Sequence, residues 1–207
     1  MNTQPLRLAF LASRNGSSMR AILSAIAAGE LAAEGVIAVS NNRQAPALEA
    51  ARAAGLASLC IPTRGDPEAA DAQLANALTE ARADLVILSG YLRRLGPKVL
   101  AAFPGRILNI HPGPLPQFGG EGMYGARVHE AVIAAGVSES GAVIHVVDGD
   151  YDHGPAIARL SVPVEPGDTP ETLGQRVTAL EPGFYLTTLK AIVAGDIGLP
   201  GAGQADR

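Results

Sequence analysis

Short apolar runs alternate along the first half of the chain with longer segments of helical composition. The apolar runs, each of strand length, lie at residues 6–12, 36–40, 58–61, 85–88 and 107–111. Helices are predicted between them at 19–28, 45–54, 67–81 and from Pro97 onwards. Strands that alternate with helices in this way pair in parallel through right-handed crossovers. The pattern therefore predicts an α/β protein with a Rossmann-like, doubly wound, mostly parallel twisted sheet.

The second half of the chain departs from that alternation. Strands are predicted at 140–147 and 156–164, and helices at 124–135 and 169–194. The two strands are joined by a short turn, which predicts an antiparallel edge on the sheet. Thr169 is the expected cap of the last helix, as Asp66 is of the helix that starts at Pro67. Pro182 and Gly183 are expected to kink the last helix or to divide it in two.

The length of 207 residues suits one large α/β domain. No repeat or linker interrupts residues 1–195, so we expect a single domain there. Residues 196–207 are glycine-rich and polar, and we expect them to form a flexible tail.

Composition narrows the classes of partner. Hydrophobic residues make up 47% of the chain, charged residues 17%, and the formal net charge is −4, as in an ordinary globular protein. The basic residues form no stripe that would neutralise a polyanion, so we expect no nucleic acid partner. Scattered arginines still suit small anionic ligands. No apolar run has the length of a membrane span and no leader pattern opens the chain, so we expect no membrane association and a cytoplasmic location.

Asn109 and His111 are the first candidates for chemistry. They are two residues apart on a predicted strand that stops at Pro112, so both side chains leave the same face. Ligands of α/β sheets bind at the carboxyl ends of strands. An amide and an imidazole there suit an oxyanion donor and a proton-handling group. The alternative is a buried polar pair that satisfies loop backbone groups.

Two loops are candidate ligand sites. Residues 13–18 join a strand to a helix, a geometry that aims backbone N–H groups at an anion; alternatively, Ser17 or Ser18 only caps the helix. Residues 89–95 carry an aromatic residue and two arginines at the end of another strand. They suit a pocket for a flat ligand with carboxylates, or else lie at the solvated surface.

Other polar residues have simpler interpretations. The acidic loop, residues 148–155, does not match a calcium-binding pattern, and an Asp- and Gly-rich turn needs no ion, so we expect no metal. His129 is expected at the surface or half-buried, and His145 as a hydrogen-bonded structural imidazole. Cys60 is the only cysteine and is expected to be a small buried hydrophobe. Residues 113–122 predict a long functional loop.

An aspartate of the acidic loop would complete a proton-handling set with Asn109 and His111, because a nearby carboxylate favours the charged form of an imidazole. No serine or cysteine nucleophile has a motif around it. The expected chemistry is therefore direct transfer between two bound substrates.

The motifs together resemble a known family. Residues 13–18, Ser40-Asn41-Asn42, Gly90-Tyr91-Leu92-Arg93, Leu108 to Pro112 with Leu115-Pro116, and Asp152 to Pro155 carry the resemblance. They are similar to the phosphoribosylglycinamide formyltransferase family of purine biosynthesis, over residues 6–189. The resemblance implies a formyltransferase fold and transfer of the formyl group of 10-formyltetrahydrofolate, as co-substrate, to the amine of glycinamide ribonucleotide, without a metal.

The resemblance also implies roles for individual residues. Asn109 would donate to the formyl oxygen, His111 would stabilise the oxyanion as a cation, and Asp152 would hold His111 charged and help remove the amine proton. The implied ribonucleotide residues are Asn15, Gly16, Ser17, Ser18 and Glu181. The implied folate residues are Leu92, Arg93, Leu95, Asn109, Val147, Asp148 and Asp152. Residues 1–103 would be the phosphate-binding half, and residues 104–195 the catalytic and folate-binding half.

The chain departs from the usual pattern of the family at two residues and one loop. Arg14 stands where the family usually has glycine, and Ser18 where it often has asparagine. The loop at residues 113–125 differs from the commonest form and is a few residues longer.

Two other functions fit the same sequence. One is another folate-dependent formyl enzyme: a formyltetrahydrofolate hydrolase, or a transferase acting on a sugar nucleotide or methionyl-tRNA. The other is a non-catalytic module that binds folate or a nucleotide. For the formyltransferase implied by the resemblance, the expected partners are the small molecules glycinamide ribonucleotide and formylfolate, and the expected assembly is a monomer or a homodimer.

Overall fold

Strands and helices alternate through the computed structural model, which describes residues 4–200. The strands are β1 (Leu6–Leu11), β2 (Ala33–Ser40), β3 (Ser58–Cys60), β4 (Leu85–Leu88), β5 (Ile107–His111), β6 (Glu139–Val146) and β7 (Ala156–Pro163). The helices are α1 (Ser17–Ala27), α2 (Pro46–Ala53), α3 (Pro67–Glu80), α4 (Pro97–Ala102), α5 (Ala126–Ala134) and α6 (Pro170–Ala194). Every predicted strand and helix is present, with boundaries shifted by at most three residues.

The strands form one sheet in the order β3-β2-β1-β4-β5-β6-β7. The first five strands pair in parallel. β5 pairs antiparallel with β6, and β6 antiparallel with β7. The predicted doubly wound sheet with an antiparallel edge is confirmed. The chain order reverses between β1 and β4, so a crevice opens there at the carboxyl ends of the strands.

Both faces of the sheet are covered, which explains the nearly continuous apolar strands. In β1, Leu8 and Phe10 face a core shared with α1 and α6, while Ala9 and Leu11 face a core shared with α3 and α4. A third apolar cluster lies between α5, the antiparallel edge and the start of α6. Because the sheet is packed on both faces, the ligand-accessible surface lies at its edges and strand ends.

Helix α6 runs unbroken from residue 170 to residue 194, so the predicted division at Pro182 and Gly183 is wrong. The packing of the helix against the sheet holds it together: the hydroxyl of the buried Tyr185 donates to the Leu108 carbonyl oxygen at 2.9 Å. The predicted caps are confirmed, since Thr169 accepts from Thr172 N and Asp66 from Ala69 N.

Three other points concern predictions about single residues and the chain end. Cys60 is half-buried rather than buried. After α6, Asp196 N donates to the Ala191 carbonyl oxygen, and Leu199 packs against the core. The rest of the predicted tail, residues 201–207, lies outside the described residues. Within residues 4–200, no helix combines the length and the apolar character needed to cross a membrane.

Candidate active site

Asn109 and His111 both point from β5 toward the acidic loop. Asn109 is half-buried, and the side chain of His111 is only 3% exposed. β5 lies between β4 and β6, so these two side chains lie on an inner strand of the sheet rather than on an outer one. The alternation along the strand therefore places an amide and an imidazole side by side at the carboxyl end.

Asp152 is the aspartate of the acidic loop that meets them. Its Oδ2 lies 3.3 Å from His111 Nδ1, and its Oδ1 lies 3.4 Å from His145 Nε2. Gly120 N also donates to Oδ2, at 3.1 Å. Asp152 has a positive φ of 55°, a left-handed conformation that aspartate tolerates better than most residues. The carboxylate is thus held between two imidazoles.

These contacts determine the ionisation of Asp152. Burial by itself would raise the pKa of the carboxyl group. The hydrogen bond from His111, the positive charge of His111 and the Gly120 N–H outweigh burial and hold the pKa of Asp152 well below its usual range. Asp152 is therefore a carboxylate at neutral pH.

Both ring nitrogens of His111 face oxygen atoms that can only accept. Nε2 lies 2.8 Å from the Phe118 carbonyl oxygen, and Nδ1 faces the Asp152 carboxylate. A neutral imidazole has one N–H and satisfies only one of these acceptors, whereas an imidazolium satisfies both. The surroundings of His111 therefore suit a cationic ring.

The long loop that follows β5 supplies two of these partners. Phe118 contributes its carbonyl oxygen to His111, and Gly120 contributes its N–H to Asp152. A Cβ at Gly119 would lie 2.3 Å from Leu115 Cδ2 and 3.1 Å from Asp152 Cβ. Glycine at this position allows the acidic loop to approach. The loop after β5, whose sequence departs from the usual family form, is therefore in direct contact with the site.

A cleft of about 80 Å³ opens beside these groups. It is lined by Leu88, Tyr91, Arg93, Arg94, Leu95, Asn109, His145, Val147, Asp148, Gly149, Asp150, Tyr151 and Asp152. The Arg94 guanidinium reaches over to the acidic loop, where it donates to the Gly149 carbonyl oxygen and lies 3.7 Å from Asp150. The cleft is smaller than ordinary ligand pockets of about 300–1,000 Å³, so we expect the exposed Arg94 and Tyr151 to move when a ligand enters.

A second and larger hollow of about 470 Å³ lies beyond the cleft, at the carboxyl ends of β1 to β4. It is lined by Ser13, Arg14, Asn41, Asn42, Arg43, Pro62, Thr63, Arg64, Leu92 and Arg93. We call it the arginine hollow, after Arg14, Arg43, Arg64 and Arg93. Arg93 lines both spaces, which makes them neighbours.

Helix α1 starts without a side-chain cap from its own loop. The N-cap residue is Gly16, in a left-handed conformation with φ 62°, and it has no side chain that could cap the helix. The alternative that Ser17 or Ser18 caps the helix is therefore wrong. Ser89 Oγ accepts from Met19 N at 3.1 Å, which joins this loop to the end of β4.

Glu181 lies one turn before Tyr185 on α6 and is half-buried. Burial raises its pKa to about 7, although the charge of His111 opposes the rise. Glu181 is thus a carboxyl group within electrostatic range of the β5 pair. Half of its population is neutral near pH 7.

Replacing Glu181 by a residue that does not titrate has a testable effect on how the free energy of unfolding depends on pH. Between its unfolded pKa near 4.5 and its folded pKa near 7, the native state holds a proton that the unfolded state has lost, so stability falls as pH rises. Between pH 5 and pH 8, wild type should therefore lose about 1–3 kcal/mol more unfolding free energy than Glu181→Gln does. Urea unfolding at both pH values measures it; identical pH dependence of both proteins would contradict it.

Comparison with known proteins gives the family. Residues 6–189 match the family model described as formyl transferase. The chain belongs to the formyl transferase family. A phosphoribosylglycinamide formyltransferase of Mycobacterium tuberculosis is 36% identical over 95% of this chain and 89% of its own length. A chloroplastic phosphoribosylglycinamide formyltransferase of Arabidopsis thaliana is 38% identical over 90% of this chain, which spans 65% of that relative's length.

A solved structure carries the same fold. The crystal structure of glycinamide ribonucleotide transformylase 1 from Symbiobacterium toebii superposes with a TM-score of 0.86 at 34% identity. The match covers 97% of this chain and 93% of that one. The formyltransferase fold expected from the sequence is confirmed.

The predicted site residues fall into three groups. Asn109, His111 and Asp152 come together, with His111 buried behind the other two. Of the predicted folate residues, Arg93, Leu95, Asn109, Val147, Asp148 and Asp152 line the cleft, whereas Leu92 lines the arginine hollow. The predicted ribonucleotide residues Asn15, Gly16, Ser17, Ser18 and Glu181 line neither space.

His145 is hydrogen-bonded as predicted, but the sequence interpretation missed that it lines the cleft beside Asn109 and Asp152. Its Nδ1 faces the Val146 carbonyl oxygen at 3.1 Å and so carries a proton, which leaves Nε2 to accept from Asn109 Nδ2 at 3.2 Å. The sequence carries only a weak signal for this contact, because β6 is antiparallel to β5 and His145 pairs with Asn109 only in the observed register. His145 orients the Asn109 amide and adjoins Asp152.

A variant at His145 tests this positioning role. We expect His145→Ala to lower kcat about tenfold, the effect of one lost hydrogen bond of about 1.4 kcal/mol, and to leave KM within about twofold. His145→Gln keeps an acceptor for Asn109 and should recover part of kcat. Steady-state kinetics and melting temperatures measure both; a wild-type kcat in His145→Ala would contradict the role.

The structure also shows the surroundings of two other histidines. His129 is 4% exposed rather than half-buried, and burial together with the nearby charge of His111 lowers its pKa. In the acidic loop, His153 Nδ1 lies 3.0 Å from Asp148 Oδ2. Over residues 4–200, no group of three or more His, Cys, Asp or Glu side chains is arranged to hold a metal ion.

Proposed function

We propose that this protein transfers the formyl group of 10-formyltetrahydrofolate to the primary amine of glycinamide ribonucleotide. The amine nitrogen bonds to the formyl carbon, and the bond from that carbon to the folate N10 breaks. The amine loses a proton, N10 gains one, and the products are formylglycinamide ribonucleotide and tetrahydrofolate. The observation that carries the proposal is the meeting of Asn109, His111 and Asp152 at one strand end.

Asn109 donates to the formyl oxygen. Its amide nitrogen has two N–H groups, and the contact with His145 Nε2 uses one of them. The second N–H remains for an oxygen in the cleft, which Asn109 lines. A fixed donor of this kind acts on the charge that develops as the tetrahedral intermediate forms.

His111 stabilises the same charge as a cation. Its Nε2–H is held by Phe118, so the ring cannot rotate freely. The contact from Nδ1 to Asp152 is 3.3 Å, longer than a normal charge-assisted hydrogen bond of about 2.7–2.9 Å. The Nδ1–H can therefore be shared between the carboxylate and an arriving oxyanion.

Asp152 keeps the imidazolium charged and takes up the amine proton, directly or through one water. It remains ionised because His111 and Gly120 stabilise the carboxylate. Asp152 also lines the cleft. Positioning of two substrates around these groups supplies the rest of the acceleration.

The substrates approach from opposite sides of the β5 end. The start of α1, with Asn15, Gly16, Ser17 and Ser18, offers backbone N–H groups to the ribonucleotide phosphate. Glu181 meets the ribonucleotide. The folate pterin occupies the cleft, where burial raises the pKa of Tyr91 to about 12 and keeps the Tyr91 hydroxyl protonated.

The deciding experiment is an absorbance assay of 10-formyltetrahydrofolate consumption. We expect consumption only when glycinamide ribonucleotide is present, with one formylglycinamide ribonucleotide formed per formylfolate lost. Consumption without an acceptor would indicate a hydrolase instead. Consumption with an amino sugar nucleotide alone would indicate a different transferase, and binding without turnover would indicate a non-catalytic module.

A further inference from the structure

We propose that Arg94 holds the acidic loop across the mouth of the cleft and has to release it before a folate enters. We call the contacts of Arg94 with residues 149–151 the Arg94 latch. The inference rests on the proposed function, which places the folate in the cleft. Arg94 is not a catalytic residue in this proposal: it acts through the acidic loop and controls the rate of folate binding.

Arg94 contacts three consecutive residues of the acidic loop. Its Nη2 donates to the Gly149 carbonyl oxygen and lies 3.7 Å from Asp150 Oδ1. Its guanidinium carbon lies 5.5 Å from the centre of the Tyr151 ring, a cation–π arrangement. All four residues line the cleft, although Arg94 and Gly149 are 55 residues apart in the chain. One side chain therefore joins the two sides of the cleft mouth.

The tip of the acidic loop, residues 148–151, depends on Arg94 for its attachment. Within residues 4–200, no other residue outside the loop makes a hydrogen bond or an ion pair with this tip. The remaining contacts are internal, because Asp150 N donates to Asp148 Oδ1 at 3.0 Å and His153 Nδ1 lies 3.0 Å from Asp148 Oδ2. When Arg94 releases the tip, no other contact of this kind has to break.

The opposite wall of the mouth, from which Arg94 extends, is fixed at both ends. Leu92 N donates to Ser13 Oγ at 2.8 Å, and the Leu95 side chain is buried. The Asp71 carboxylate accepts from two backbone N–H groups at the start of α4, at 2.8 and 3.2 Å. The acidic loop is therefore the side of the mouth that moves when the latch opens.

The latch is built from contacts that open easily. The Arg94 side chain is 61% exposed and that of Asp150 is 79% exposed, and ion pairs and cation–π contacts at such exposure are weak. With the latch closed, the cleft of about 80 Å³ is too small for a ligand of ordinary size. Only the fraction of the protein with an open latch can bind the folate, so the latch lowers the association rate.

Stopped-flow tyrosine fluorescence with tetrahydrofolate tests the proposal, since the chain has no tryptophan and Tyr91 and Tyr151 line the cleft. We expect Arg94→Ala to raise the association rate constant about tenfold and to leave the dissociation rate constant within about twofold. Loss of a positive charge alone would slow the approach of an anionic ligand, so charge does not explain this acceleration. In turnover, KM for the formylfolate should fall while kcat stays within about threefold.

The partner residue provides a second variant. Asp150→Asn removes only the ion pair and should raise the association rate constant about two- to threefold. The double variant should bind no more than about twofold faster than Arg94→Ala, because both substitutions open the same latch. The matched control is Arg127→Ala, which removes an exposed guanidinium 5.3 Å from the Tyr124 ring, outside the lining of the cleft. It should keep the wild-type rate.

The opposite results are equally definite. Unchanged or slower association in Arg94→Ala would overturn the latch. Faster dissociation with unchanged association would assign Arg94 to direct contact with the folate and overturn it too. A double variant that showed the full product of the two single effects would contradict a shared latch.

A measurement without folate separates the latch from the proposed function. In the ligand-free protein, backbone ¹⁵N order parameters of residues 149–151 should be close to the rigid value of about 0.85 in wild type and below about 0.6 in Arg94→Ala. Equal order parameters in the two proteins would overturn the latch. A failure of tetrahydrofolate to bind either protein would instead contradict the proposed function, and the order parameters would still decide whether Arg94 holds the loop.

Discussion

Asn109→Ala and His111→Ala are each expected to lower kcat by about 10²–10³-fold while the protein stays folded. Loss of one oxyanion donor costs about 2.7–4 kcal/mol of transition-state stabilisation. The Asn109 side chain is half-buried, and the His111 side chain contacts polar groups rather than the main apolar core. In the proposed mechanism the two side chains stabilise the oxyanion and do not hold the ribonucleotide phosphate, so KM should change little.

Steady-state kinetics, thermal melts and substrate titrations measure these effects together. The double variant should lose much less than the product of the two single losses, because both groups act on one oxyanion. A wild-type kcat in either single variant would contradict its role. If the kcat loss of the double variant equalled the product of the two single losses, that would contradict the action of both groups on one oxyanion.

Asp152→Asn is the second large effect, with an expected loss of about 10²–10⁴-fold in kcat. Asparagine tolerates the positive φ of this position and still accepts from Gly120 N, so the loop should keep its shape. The amide cannot hold His111 as a cation and cannot take up the amine proton. The loss should therefore appear in kcat and not in melting temperature.

The pH profile separates this role from a structural one. The pKa of Asp152 lies well below its usual range, so wild type should show no loss of activity from protonation of Asp152 between pH 5 and 9. The control Asp150→Asn changes an exposed carboxyl group in the same loop, 3.7 Å from Arg94, and should keep kcat within about threefold. Equal kcat losses in the two variants would indicate that loop charge, rather than Asp152, is what matters.

The variant loop after β5 connects the sequence to this chemistry. Phe118 and Gly120 contact His111 and Asp152, and Gly119 leaves room for the Asp152 side chain. The composition of the loop predicted its length and importance, because proline and glycine exclude helix and strand. Which of its backbone groups would meet the site was not predictable, since irregular backbone has no periodicity to interpret.

The histidines illustrate the same limit. His145 and His129 lie in regular elements, whose positions the sequence predicted well. Their surroundings depended on packing between elements: His145 meets Asn109 through the register of β6 against β5, and His129 is buried between α5 and α6. Helix α6 differs from its prediction for a related reason, because burial against the sheet keeps it continuous through Pro182.

The sequence by itself determined the elements, the parallel sheet with its antiparallel edge, and the pairing of Asn109 with His111 on one strand face. These follow from periodicity and from neighbours along the chain. Only the tertiary structure decided that Asp152 meets His111, that His145 orients Asn109, and that four arginines surround one hollow. Those groups are dozens of residues apart, and their meeting depends on strand order, register and loop path, which local chain preferences do not specify.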